Sequence, residues 1–235
     1  MRHETMIGRV IKDFDRKSIF ITTKLWPEKQ DTKESFLARG RKCLERLKVE
    51  TLDCLMLHSP DTSAVVKNEH FHAAAGELKA AGRLKYVGLS CHGSMWINKT
   101  TETMEQILGT AIEDGRFDVV LVAYNYLNQD QGSRILRACR EKGIGTTLMK
   151  TDPTGGSINL WADLANKAAQ EGKEFSPWDR NLLQILKENR DKAQQFMRDH
   201  GAKDFNDAHA AAIRFVLDNP DVNTAVLTIR TYEEM

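Results

Sequence analysis

The sequence predicts an α/β fold of the (β/α)8, TIM-barrel type, and three observations carry that prediction. Near-continuous apolar runs start near Ser18, Leu52, Leu84, Phe117 and Gly145, a spacing close to the roughly 30 residues of a βα unit with its loops. Polar or ionisable groups close these runs: Lys24, His58, Ser90, Asn125 and Lys150. A buried strand seldom carries such a group unless its end opens into a polar site, and a site assembled from many strand ends is the barrel arrangement. The competing architecture, a doubly wound open sheet, requires G-x-G-x-x-G after an early strand, and the sequence has none.

The elements follow in order. SIFITTK is the first strand and ends on Lys24. DTKESFLARGRKCLERLK is a helix whose expected opening is the pair Asp31 and Glu34, three residues apart. LDCLMLH ends on His58 and LKYVGLS on Ser90. NKTTETMEQILGTAIEDG carries Met104, Ile107, Leu108, Ala111 and Ile112 as one apolar stripe at helical spacing. FDVVLVAY leads to Asn125. QGSRILRACREKG stops at Lys142 and Gly143, a helix-end signal, and GTTLMK ends on Lys150. From about residue 157 to 218 the rhythm gives way to two or three helices, including DRNLLQILKENRDKAQQFM and NDAHAAAIRFVLDNP. A sixth strand, NTAVLTI, begins near Asn223. No linker rich in Pro, Gly or Ser interrupts the chain, which predicts one domain over residues 1–235.

Composition narrows the function class. Hydrophobic residues make up 41% and charged residues 29%, an ordinary balance for a packed domain. The net charge of +1, with signs interspersed, gives no reason to expect nucleic acid or an anionic membrane as partner. No apolar run approaches the roughly 20 residues of a membrane span, and the charged start MRHETMIGRVIKDFDRK has no signal-peptide core. Cys43, Cys54, Cys91 and Cys139 form no C-x-x-C pair, so reduced thiols and a cytoplasmic location are expected. His70 and His72 are two apart in a helical segment and do not share a face, so no metal site is expected.

Taken together, FITTKLW, CLERLKVETLDCLMLHSP, AAGRLKYVGLSCHG, FDVVLVAYNYLNQ, GIGTTLMKTDPTGG and AAIRFVLDNPDVNTAVLTIRT resemble the aldo-keto reductase family, in its order and over nearly the whole chain. The MK form with a long helical stretch after it is most similar to bacterial or archaeal branches. The resemblance implies a (β/α)8 barrel, a nicotinamide cofactor (NADPH or NADH) bound without a Rossmann domain, and reduction of a small aldehyde or ketone to an alcohol. It assigns Lys24 to the family's lysine and His58 to its carbonyl-orienting histidine. Hydride arriving at a carbonyl carbon builds negative charge on oxygen, and a cation with hydrogen-bond donors stabilises it. For the cofactor it points to Ser90, Cys91 (where an asparagine is usual), Lys150, the glycines Gly155 and Gly156 of the diphosphate loop, and Arg230. A glutamine expected in the next strand is Leu121. Read from the residues alone, Trp26 and Trp96 are candidates for pocket walls or for core or loop packing.

The family's general-acid tyrosine and its aspartate have no counterpart. Tyr86, Tyr124, Tyr126 and Tyr232 match no such position. The resemblance therefore implies an incomplete barrel of about six strands, lacking the first two strands and the last helix. The alternative function is a catalytically inactive fragment or a cofactor-binding scaffold on the same fold. Unpaired edges beside the first and last strands are expected to invite self-association.

Overall fold

The computed structural model describes residues 2–93, 102–153 and 188–227, with the isolated positions 170–172, 174, 180 and 184. Most of the helical run expected between 157 and 187 lies outside them. The strands are β1 (Thr22–Leu25), β2 (Leu52–His58), β3 (Leu84–Cys91), β4 (Val119–Ala123), β5 (Gly145–Met149) and β6 (Thr224–Ala225). The helices among the described residues are α1 (Arg2–Val10), α2 (Lys33–Leu47), α3 (Ser63–Val66), α4 (Glu69–Ala80), α5 (Met104–Asp114), α6 (Gln129–Glu141), α7 (Arg190–Asp199) and α8 (Phe205–Leu217). The strands form one six-stranded sheet whose order follows the chain from β1 to β6. Pairs β1–β2, β2–β3 and β5–β6 are parallel. A doubly wound sheet reverses its order at a switch point; this sheet does not, as expected for part of a (β/α)8 barrel.

Contacts divide the chain into two compact units, Met1–Cys91 with Gln106–Val120, and His92–Glu105 with Leu121–Met235. The first is organised by β2, whose residues Leu52 to Leu57 are all buried. Because side chains alternate, this burial covers both faces of the strand. On the helix side, Phe36 of α2 meets Phe71 of α4 edge-on at 5.5 Å. Each ring is 1% exposed, and burial of a ring of this size stabilises by roughly 2–3 kcal/mol. α1 lies against α2 at Gly8, where a Cβ would fall 2.5 Å from the Arg46 carbonyl oxygen. Glu4 fixes that contact, accepting from Thr23 at 2.6 Å and Arg46 at 3.1 Å.

Helix α2 starts one residue later than the pair Asp31 and Glu34 implied. Thr32 takes the extended backbone of an N-cap, and Thr32 and Ser35 satisfy each other's backbone N–H groups. Asp31 instead accepts from the Ser35 hydroxyl and the Glu28 N–H, tying down the loop before the helix. The helix ends at Lys48, left-handed at φ 56, a conformation that costs a non-glycine residue about 1–2 kcal/mol.

The amino-terminal end of β2 is closed by Asp53, 3% exposed. Its carboxylate accepts from the Ile21 N–H at 2.8 Å, Arg16 at 2.6 Å and Lys85 at 2.6 Å. Burial alone would raise its pKa; the Lys85, Ile21 and Arg16 hydrogen bonds outweigh it and hold the group ionised.

In the second unit, β5 pairs with β6 at Thr147–Thr224 and Leu148–Ala225. Asn223 accepts from the Thr146 N–H at 2.8 Å, setting that register. The buried Phe196 of α7 stacks on Tyr126 at 4.0 Å and meets Phe215 of α8 edge-on at 5.9 Å, anchoring both helices.

The left-handed Lys48 gives a direct stability test. Lys48→Gly removes the strain at the end of α2 while adding freedom to the unfolded chain, for a net gain of about 0.5–1 kcal/mol. Urea unfolding should show a higher midpoint at an unchanged slope.

Candidate active site

The register of β1, β2 and β3 builds the site in the first unit. Lys24 pairs with Met56 and His58 with Ser90, so alternation puts Lys24, His58 and Ser90 on one face at the carboxyl ends of three adjacent strands. Position 26 is one step beyond the β1 ladder on that face, and the Trp26 ring sits 4.0 Å from the His58 ring, tilted by 39°. Gly88 lies one pair below Ser90, where a Cβ would fall 2.6 Å from Met56 Cγ and 2.8 Å from Cys54 Sγ. Those side chains fill the floor beneath the site.

Electrostatics separate the two central groups. His58 is half-buried, and its pKa is pushed down to about 4, first by burial and then by the positive charge of Lys24. At neutral pH the imidazole is neutral and keeps one N–H to donate. A neutral histidine beside an ammonium offers a carbonyl oxygen both a donor and a cation.

Two hydroxyls border this pair. Ser90 is 0% exposed, and its Oγ is buried with no hydrogen-bond partner among the described residues. Ser59, directly after His58, is in the same condition. Its backbone is left-handed at φ 50, and its N–H donates to the Ser90 carbonyl at 2.7 Å. Ser59 also precedes Pro60, and a proline already restricts the residue before it. Buried hydroxyls without partners are uncommon and costly. A ligand amide or carbonyl satisfies such groups. Cys91 is 1% exposed, and alternation turns it to the opposite face from Ser90.

Lys150 ends the β5 segment in the second unit. It is left-handed at φ 58, and burial lowers its pKa. Its carbonyl accepts from Asn125 Nδ2 at 2.8 Å, and Asn125 Oδ1 accepts from the Leu127 N–H at 2.9 Å. Two residues on, Asp152 pairs with Nδ1 of His209 on α8 at 2.7 Å. Leu121 is 6% exposed and offers no polar group. Gly155, Gly156, Arg230, Trp96 and Tyr232 lie outside the described residues.

Tyr86 shares the face of Ser90 but lies four residues earlier on β3, about 13 Å along the strand, stacked on Phe20 at 6.0 Å. It is not at the site. His72 faces inward, its Nε2 3.0 Å from the Val66 carbonyl oxygen, while His70 is exposed. Among the described residues no group of three His, Cys, Asp or Glu is placed to hold a metal.

Nothing in the sequence marks Ser59 or the Asp152–His209 pair. Ser59 carries no motif signal, and His209 is 57 residues from its partner.

A model of the Aldo/keto reductase family matches residues 2–235. The chain belongs to the aldo/keto reductase family. It is similar to the methylglyoxal reductase DkgB of Salmonella typhimurium, at 28% identity over 158 residues, 66% of this chain and 55% of that protein. The Yersinia pestis methylglyoxal reductase DkgB is 25% identical over the same shares. The chain thus spans about half the length of these curated relatives. Among solved structures, the thermostable aldo-keto reductase Tm1743, in complex with the inhibitor epalrestat, has a TM-score of 0.62 at 19% identity. The match covers 99% of this chain and 69% of that one. The holo form of aldo-keto reductase AKR11C1 from Bacillus halodurans has a TM-score of 0.63 at 15% identity, covering 98% and 68%. At these identities the likeness is one of fold.

The depressed histidine sets a pH signature for this reductase-family chain. Between pH 6.5 and about 4 the unfolded chain binds a proton that folded His58 refuses. The stability gained from this difference is therefore present above pH 6.5 and lost as pH falls toward 4. NMR titration of the His58 ring should give a midpoint near 4, and Lys24→Met should move it only part of the way back to 6.5, because burial is the larger cause.

Proposed function

We propose that this chain acts in NAD(P)H-dependent reduction of an aldehyde or ketone to an alcohol, with NADPH as the expected form. The observation that carries the proposal is the neutral His58 beside Lys24 on one sheet face, with the hydroxyl of Ser90 on the next strand, unpartnered among the described residues. The dihydronicotinamide, when bound, supplies the hydride. His58 donates its N–H to the substrate oxygen and orients the carbonyl. The Lys24 ammonium stabilises the charge that grows on that oxygen as hydride reaches the carbon. Trp26 covers one side of the imidazole and excludes water from it. Ser90 holds the carboxamide. One proton must reach the alkoxide, and no tyrosine among the described residues lies in the row of Lys24 and His58. The isolated chain is therefore expected to turn over slowly unless an acid is supplied.

The relatives named methylglyoxal reductase suggest a small 2-oxoaldehyde as test substrate, and nothing in them favours the non-catalytic alternative. Cys43, Cys54, Cys91 and Cys139 are buried free thiols, in keeping with the proposed cytoplasmic location. No helix among the described residues is long and apolar enough to cross a membrane.

NADPH fluorescence titration should show saturable binding, weakened about five- to tenfold by Ser90→Ala, the loss of one hydrogen bond. NADPH oxidation with methylglyoxal should be slow and should rise with added phenol. It should fall about a hundredfold in Lys24→Met and in His58→Ala. Absence of NADPH binding, or turnover that survives both substitutions, would overturn the proposal.

The sheet edge carries a second proposal, self-association through β1. Among the described residues this strand ends the sheet order, Thr22 is exposed, and Phe20 and Trp26 beside it are 58% and 53% exposed. An edge with apolar flanks is a template for another chain. Sedimentation velocity should show a mass rising with concentration, and Phe20→Lys with Thr22→Lys should return the chain to monomer. A wild-type chain that stays monomeric at its highest soluble concentration would rule this out.

A further inference from the structure

The amino-terminal end of the first unit holds a cavity of about 510 Å³ that the carbonyl chemistry does not use. Five cations line it: Lys12, Arg16, Lys17, Lys48 and Lys85, with Glu50 as the one carboxylate in the wall. The chain as a whole carries 34 basic and 33 acidic residues, so an average lining would hold the two signs equally. A concave wall with so large an excess of one sign concentrates counter-ions.

The cations differ in role. Arg16 is committed to the frame: it donates to the Ile19 and Thr51 carbonyls at 3.0 and 2.8 Å and to Asp53. Lys85 is held by the same Asp53 at 2.6 Å and is 56% exposed. Lys12 has a loose, exposed contact with Asp13 at 3.9 Å. Lys17 and Lys48 make no ion pair among the described residues. Lys48 is also the left-handed cap of α2. Glycine would be cheaper there, and strain of this kind is characteristically kept at functional positions. The same wall presents Ile11, Phe14 and Val49, and Phe14 is 56% exposed. The volume suits a ligand with a ring as well as a charged group.

We propose that this cavity binds a small phosphorylated ligand bearing a flat apolar group. Lys12, Lys17, Lys48 and Lys85 take the phosphate, and Ile11, Phe14 and Val49 take the ring. The site lies at the opposite end of β2 from His58, about 20 Å away along the strand. It does not depend on the proposed carbonyl reduction.

Isothermal titration of the full chain with 1-naphthyl phosphate tests it, with inorganic pyrophosphate and 1-naphthol as the charge-only and ring-only arms. Saturable binding of 1-naphthyl phosphate is expected, weakening as salt rises. Loss of charge-assisted contacts in Lys12→Ala with Lys17→Ala should weaken it about tenfold or more. Lys48→Gly should weaken it about threefold although that variant is expected to be the more stable protein, which separates lost binding from lost folding. NADPH titration of these variants should be unchanged, so failure here is distinguishable from failure of the reductase proposal. Pyrophosphate binding as tight as that of 1-naphthyl phosphate would overturn the ring-bearing ligand class. No saturable binding, equal binding of 1-naphthol, or affinity unchanged in the lysine variants would overturn the site.

Discussion

Burial of β2 along both faces is the constraint on which the first unit depends. Six consecutive residues, Leu52 to Leu57, lie inside, and one of them, Asp53, is charged. A strand enclosed in this way cannot slip by one residue, because a slip exchanges every side chain between faces. Asp53 would then leave Arg16 and Lys85 and enter the opposite layer. The register with β1 and β3 is fixed in consequence, and with it the row in which Lys24, His58 and Ser90 meet.

That row carries the proposed chemistry better than any member does alone. A lysine at a strand end is ordinary, because its stem packs while its charge reaches water. A histidine at a strand end is also ordinary. Side by side on a half-buried face they alter each other: the ammonium adds to burial in disfavouring a second positive charge. The pair is therefore held with one charge. That is the state needed where negative charge develops on oxygen, since it provides a cation and a neutral donor together. Trp26 contributes by position, because the ladder that pairs Lys24 with Met56 brings residue 26 level with His58.

Much of this was legible in the sequence. All six strands begin within four residues of the expected starts, since near-continuous apolar runs are hard to place except as buried strands. Lys24, His58 and Ser90 were visible as polar ends of such runs. What was not legible depends on backbone conformation or on partners distant in the chain. Ser59 reads as an ordinary loop serine until its φ of 50 and its unpartnered hydroxyl are seen. Asp31 and Glu34 have the spacing of a capping pair, but the backbone turns at Thr32, whose hydroxyl caps equally well. The lysines of the basic cavity come from four separate stretches around α1, β1, α2 and β3, and no local window contains them.

The two ends of β2 treat buried polarity in opposite ways. At the amino-terminal end Asp53 is fully engaged by a backbone N–H, a guanidinium and an ammonium. A buried carboxylate satisfied in this way is a structural joint, and it holds two cations in fixed places. At the carboxyl-terminal end Ser59 and Ser90 keep hydroxyls without partners among the described residues, and His58 is denied its proton. Each unmade hydrogen bond costs about 1–3 kcal/mol, and the suppressed protonation adds to the cost at acid pH. A fold under selection for stability alone would fill those positions with apolar groups of the same size. Unsatisfied polarity concentrated at one end of a strand that is otherwise satisfied along its length is what a site waiting for a polar ligand requires.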